Sequence, residues 1–513
     1  MVLGVLRPRF PLSGVFRVGR VDEIWWKRSV SAVIALGAPY LVLLALGRLD
    51  LAMYVSAGAM CALYTHALPY PRRARVLAWI GLAMTATVGA AAVAASLTDS
   101  AVVLVVVAAL LAAVHKLFGE AAKIGAPGNV ILTFIGAAVA FVPTETGQIP
   151  GHTALAALGA LIAWAVVMAP ALVRPYGPER RAVAAALEAA AQITDAPSRH
   201  RAAAAVNAAW RAVLAARPSG LDRLLVQAEE ALSKAPETAR LNSLARRLRA
   251  GTVPEVGLSD AQVAELTGLA AERHTAVPRS VLLQGLWPVV LRVLVSAVLG
   301  GWISLLLGVG HPYWAVVTAA AVCQASADLS WRRALQRAWG NFAGLAVFAL
   351  LLPISRTGAV ALVLLILACQ FVTEGMITRN YWLGTVFVTP MALLMTEFAA
   401  QEPGGVLVLD RALDTVVGVV TGLVACLLVT NHRAARRTES ALERVDQARA
   451  HAAEAEPAPA AAELASALVG LREAADIAHG EWWRGGLPEE RIVVAEREGH
   501  RELAALQSGG RPE

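Results

Sequence analysis

The stretch TRNYWLGTVFVTPMALLMT, Thr378 to Thr396, decides how this chain is read. Its nineteen residues would span about 28 Å as a helix, enough to cross most of a bilayer core. Yet it holds four threonines, an asparagine and a proline, groups for which lipid offers no partner. With Thr378 at zero and about 100° per residue, Thr385, Thr389 and Thr396 fall within about 20° of it, so the hydroxyls form one stripe. Tyr381 and Trp382 flank the stripe and Asn380 points away. Pro390 removes a backbone N–H and frees the carbonyl of Val386, which must find Thr389, another helix or water. Two readings fit the stripe: a seam between helices glued by hydroxyls, or the lining of a solute path.

The rest of the chain has the same character. Of 513 residues 57% are hydrophobic and 16% charged, and mean hydropathy is +0.58, which excludes an ordinary soluble globular protein. Apolar runs long enough to span recur in two blocks, 29–173 and 285–430, six in each. The fold expected is an all-α polytopic membrane protein of about twelve transmembrane helices in two parallel six-helix repeats, with a cytoplasmic helical domain between them and a helical C-terminal tail. With the N-terminus inside, the Lys and Arg of short loops collect on the cytoplasmic side, and only Arg48, Arg356 and Arg411 fall outside. The net charge of +7 then reports membrane topology and not nucleic-acid binding. The chain's start lacks a small-residue cleavage site and reads as a basic lead into the first helix. Cys61, Cys323, Cys369 and Cys426 fall inside spans without metal or disulfide spacing, so they read as buried small hydrophobes. No cofactor or metal is implied.

These boundaries give 1–174 as a basic N-terminus with helices 1–6, 175–280 as a cytoplasmic bundle, 281–431 as helices 7–12, and 432–513 as a partly helical tail. The bundle is cut by Pro178, Pro197, Pro218, Pro236, Pro254 and Pro278 into lengths such as PERRAVAAALEAAAQITD and SGLDRLLVQAEEALSKA. In the tail, EWWRGG is expected to dock its tryptophans on the bundle or the membrane interface. The two membrane blocks share a plan. Each has a basic cluster after its second span, PRRAR at 71–75 and RRALQR at 332–337, and each opens its fifth span with an asparagine, Asn129 and Asn380. Equal orientation of the halves makes the repeat parallel.

Polar residues elsewhere in the second block extend the pattern. In HPYWAVVTAAAVCQASAD, 311–328, read as one span, His311, Trp314, Thr318, Gln324 and Asp328 share an arc. Arg337, Asn341 and Gly344 follow at helical spacing, and Gln370, Thr373 and Glu374 cluster at the inner end of the tenth span. Arg292 lies four or five residues inside the seventh. Together they suggest a cytoplasmic vestibule with both signs of charge, although interfacial arginines also snorkel to water. Arg411 and Asp414, at i and i+3, read as a structural pair.

In order and spacing, HPYWAVVTAAAVCQ, RRALQRAWGNFAG, RNYWLGTVFVTPMALL and DRALDTVVGVVTGL resemble the fusaric acid resistance protein-like superfamily, which includes aromatic acid exporters and, more distantly, plant aluminium-activated malate transporters. The family's basic helix reads R-x-x-G-T-x-x-G, here Arg337, Gly340, Asn341 and Gly344, with Asn341 in place of the usual Thr. The resemblance implies export of organic or aromatic carboxylates across the bacterial plasma membrane by a homodimer. In that setting Trp314, Tyr381 and Trp382 would take the apolar body of a small organic anion, Thr318, Thr385, Thr389, Asn341, Gln324 and Gln370 its polar groups, and Arg337 or Arg292 its carboxylate. Asp328 and Glu374 are the candidates for proton coupling. A passive anion channel of the same fold is the alternative. The chain holds no HExxH, GxSxG or Walker A signature, so an enzyme is not expected.

Overall fold

The structure is a computed structural model that describes residues 12, 14–19, 24–122, 124–125, 127–216, 220–233, 237–257, 279–398, 402–429, 433–452, 457–480 and 488–507. Arg7, Arg9, Arg20, Lys123, Pro218, Pro236, Pro278 and the EWWRGG segment lie outside them. Every element among the described residues is helical. The first block runs α1 (Trp25–Ala45), α2 (Ala52–Ala59, between 3-10 turns Leu49–Leu51 and Met60–Leu63), α3 (Tyr70–Leu97), α4 (Ala101–Ala121), α5 (Val130–Ala140) and α6 (Ile149–Met168). After the short α7 (Pro170–Val173) come α8 (Gly177–Ala191), α9 (Ala196–Ala216), α10 (Leu221–Ser233) and α11 (Thr238–Arg249). The second block is α12 (Arg279–Leu306), α13 (Tyr313–Val322), α14 (Ala327–Ser355), α15 (Ala359–Ile377), α16 (Tyr381–Thr396) and α17 (Gly404–Leu428). The tail holds α18 (Arg433–Ala452), α19 (Pro457–His479) and α20 (Glu489–Gln507).

Among the described residues, eight helices are long and apolar enough to cross a membrane: α1, α3, α4, α6, α12, α14, α15 and α17. The second and fifth members of each block are shorter. At ~1.5 Å per residue the ten residues of α13 reach only about 15 Å, half a bilayer core. The span expected over 311–328 is therefore two pieces. Cys323 turns extended (φ −68°, ψ 107°) and ends α13. Ser326 then caps α14, its hydroxyl accepting from the Leu329 N–H, a local bond that offers the backbone an alternative to continuing the helix. Since every residue of α13 is buried, the arc from His311 to Asp328 does not exist as one wet face. The opening stretch is divided too. Thr378 closes α15 and Asn380 caps α16, its side chain accepting from the Trp382 N–H, so Thr378 is not on the stripe and Asn380 stands at the helix start. Asn129 occupies the same position at the start of α5.

The two blocks pack by one scheme. In each, the first helix contacts the second and sixth, the second contacts the sixth, the third contacts the fifth and sixth, and the fourth contacts the fifth. Between blocks the exchange is reciprocal: α1 lies on α15, and α12 lies on α4. Small residues permit the closest crossings. A Cβ on Gly58 of α2 would run into the Ala156 carbonyl of α6, and one on Gly159 into the Val55 carbonyl, so these backbones touch directly. In the second block Gly418 of α17 meets Thr318 and the Ala315 carbonyl of α13 in the same way.

Outside the apolar bundle, α8 to α11 bury Val183, Leu187, Trp210, Leu224 and Leu244 in a core of their own, and α18 to α20 do so with Leu442, Val445, Leu464 and Leu471. The segment before α1 and the end of α19 both touch the second block. Val15 O accepts from Gln336 Nε2 and Asn380 Nδ2 at 2.9 Å each, and the Phe16 ring sets its edge against Trp339 and Trp382. The Asp328 N–H donates to Gly480 O at 2.9 Å, which joins the end of α19 to the start of α14.

Candidate functional site

A chamber of about 540 Å³ lies where the two blocks meet. All four short helices or the turns beside them wall it: Met60 and Leu63 after α2, Gly125 to Phe134 at the start of α5, Trp314, Val317 and Ala321 on α13, and Tyr381, Thr385, Val388 and Met391 on α16. Helix ends within a membrane are tolerated only where the released backbone groups are covered by protein or meet water. Here they converge on one cavity.

Its electrostatics are lopsided. Arg28, Lys116, Arg333, Arg337 and Arg411 line it against two carboxylates, Glu120 and Glu374. Lys116 pairs with Glu120 at 2.8 Å, and Gln370 Nε2 donates to Glu374 Oε1 at 3.3 Å. The arginines are set on aromatic rings. The Arg333 guanidinium lies 3.9 Å over the Tyr381 ring, Arg337 donates to the Tyr381 hydroxyl at 2.8 Å, and Arg411 lies 4.1 Å over the Trp314 ring. Cation–π contact favours a partly dehydrated guanidinium and fixes its plane. Beside Arg337, Asn341 ties three helices: its Nδ2 donates to Thr415 Oγ1 at 2.9 Å, and Thr389 Oγ1 donates to its Oδ1 at 2.8 Å.

Of the residues singled out from sequence, Trp314, Gln324, Arg337, Asn341, Gln370, Thr373, Glu374, Thr378, Tyr381 and Thr385 line this chamber together. The others lie elsewhere. Thr389 is behind the wall in the Asn341 clasp. Pro390 is buried, and the carbonyl that it frees, Val386 O, faces Gly344, where a Cβ would approach it to 2.8 Å. Thr318 meets Gly418. Trp382 packs under Phe16, and its carbonyl lies close to Gly340. Arg292 is 0% exposed and donates to Val429 O at 2.9 Å. Asp328 is in the first turn of α14, off the chamber. The hydroxyl stripe of α16 is thus a helix seam along most of its length, with Thr385 at the edge of the cavity.

Sequence reasoning missed Arg411 most clearly. Counted as an outer-loop charge paired to Asp414, it is instead 3% exposed, and its Nε and one terminal nitrogen have no hydrogen-bond partner. Asp414 accepts from the Ser304 hydroxyl instead. The signal was present: Arg411 stands seven residues inside an apolar helix that starts at Gly404, and an ionisable residue at that depth marks a partner or a cavity. Of the first block's contribution, Arg28 and Lys116 read in the sequence as cytoplasmic charge and Asn129 as a repeat landmark, while nothing singles out Glu120.

A helical membrane protein whose long apolar helices and broken short ones enclose a buried, cation-rich chamber belongs to the class of multi-pass membrane proteins. More narrowly, residues 297–425, from α12 to α17, match the model of the fusaric acid resistance protein-like family. The chain is also 30% identical, over 184 residues and 35% of its length, to the uncharacterized membrane protein YvaC of Bacillus subtilis (strain 168). That match spans 29% of the relative's length. No solved structure gives a significant match.

Proposed function

We propose that the protein is a secondary transporter that exports small organic or aromatic carboxylate anions through this chamber. The observation that carries the reading is the excess of guanidinium and ammonium groups, Arg337 foremost, facing one cavity walled by α5, α13, α16 and the turn after α2. An anion entering there exchanges water for charge-assisted hydrogen bonds in a medium of low dielectric, where such bonds gain strength. The apolar wall of Met60, Leu63, Val388 and Met391 receives the rest of the molecule. In this reading the twelve helices are two parallel repeats in the bacterial plasma membrane with both termini in the cytoplasm, and the functional unit is a homodimer.

Proteoliposomes loaded with radiolabelled benzoate test it. Arg337→Ala is expected to lower the efflux rate at least tenfold, and efflux unchanged by that substitution would overturn the role given to Arg337. Glu374, the carboxylate held by Gln370 inside the chamber, is the proton-coupling group in this reading. Glu374→Gln should abolish the stimulation of transport by a pH gradient while leaving benzoate binding intact. Large benzoate currents indifferent to Glu374→Gln would identify a channel instead.

A further inference from the structure

The geometry points to Arg411, backed by Trp314, as a second carboxylate-binding residue of the chamber, one that reads the charge of the ligand and not its aromaticity. This rests on the organic-anion reading above. A guanidinium that is nearly fully buried and has nitrogens without a protein acceptor is costly unless an anion or water completes it. Arg411 faces the cavity in that condition. Its plane is fixed against the indole, so its N–H edge remains the part able to meet a carboxylate, and the fork geometry suits two parallel bonds.

The position relative to Arg337 adds a direction. Asn341 of α14 and Thr415 of α17 are bonded and lie at one level. Arg337 is one turn before Asn341, and Arg411 one turn before Thr415. The end of α14 meets the start of α17, where a Cβ on Gly404 would run into Leu352, so the two helices run oppositely and the arginines fall on opposite sides of that bond, Arg337 nearer the start of α14 and Arg411 nearer the start of α17. An anion released by one meets the other along the axis of the bundle.

The same contacts decide what the chamber selects. Trp314 is itself 3% exposed, with the Arg411 guanidinium over its ring, Phe134 stacked at 5.2 Å and Tyr313 tilted at 5.0 Å. The Tyr381 ring carries Arg333. The two aromatic residues best placed to stack on a ligand ring are therefore occupied in holding arginines. Phe134 is left to offer a ring contact, an advantage limited to about tenfold. The ligand class is an apolar-bodied carboxylate, alicyclic and aromatic alike.

Binding of benzoate and of cyclohexanecarboxylate to the full-length protein in nanodiscs, by calorimetry and competition, tests this. The two acids are expected to bind within about tenfold of each other, and Arg411→Gln should weaken both by at least tenfold and to the same extent. Arg411→Lys should recover only part of that loss, because an ammonium lacks the planar fork. A preference for benzoate above about thirtyfold in the wild type, which needs no variant, would refute the charge-reading role. Unchanged affinity in a folded Arg411→Gln protein would refute Arg411 as a binding residue while leaving the transport reading standing. A wild type that binds neither acid would remove that reading and this inference together.

Discussion

Asn341 is the residue on which the second block turns, since its amide bonds Thr415 on one side and Thr389 on the other. Neither threonine depends on it alone: Thr389 also donates to Thr385 O and Thr415 to Arg411 O, each at i−4. Removing the amide strands no hydroxyl, and membrane hydrogen bonds of this kind average only about 0.6 kcal/mol. Asn341→Ala is therefore expected to cost about 1 to 2 kcal/mol, read as a modest fall in the thermal midpoint in nanodiscs, and a collapse of the fold would show that the clasp does more than these bonds. Spacing alone identified Asn341, Arg337, Gln370 and Glu374, because polar residues at i and i+4 in an apolar helix announce a common side. It missed Arg411 because Asp414, at i+3 on the same side of the helix, supplied a plausible local partner; only the Ser304 hydroxyl from α12, more than a hundred positions away, shows that Asp414 is engaged elsewhere.

At the scale of elements, the length of an apolar run proved a poor guide to the length of a helix. Both 311–328 and 378–396 read as single spans, yet Ser326 and Asn380 cap new helices inside them. A cap is one side-chain oxygen on one N–H, and hydropathy is blind to it. What the sequence did reveal was where two of the short helices open, at Asn129 for α5 and at Asn380 for α16. It did not reveal which glycines are contacts. Gly58→Ala would drive a methyl into the Ala156 carbonyl of α6, a backbone atom that cannot rotate away. That substitution is expected to cost about 3 kcal/mol and to lower the yield of monodisperse protein. Gly151→Ala, in the first turn of α6 with open space around its Cα, should by contrast leave the melting temperature within about a degree, and equal damage from both would mean that the α2–α6 crossing is not a close backbone contact.

For the whole molecule, the matched packing of the two blocks and the exchange of α1 and α12 onto the other block's fourth helix place the chamber on a seam that neither half builds alone. The helices α8 to α11 join this body where Glu179, in the first turn of α8, is fully buried with neither carboxylate oxygen hydrogen-bonded. Burial raises its carboxyl above the usual carboxylate range, and the positive charges of Arg73 on α3 and of Arg181 offset this only in part. An acid that holds its proton more tightly folded than unfolded stabilises the fold at pH below its ordinary value and loses that contribution as pH rises through the folded value. Glu179→Gln, which is neutral at every pH, should consequently melt higher than the wild type at pH 8, with the difference shrinking toward pH 4. A variant less stable than the wild type at pH 8 would mean that attraction to Arg73 and Arg181 outweighs desolvation, and that Glu179 works as an ionic tie between α8 and the membrane helices.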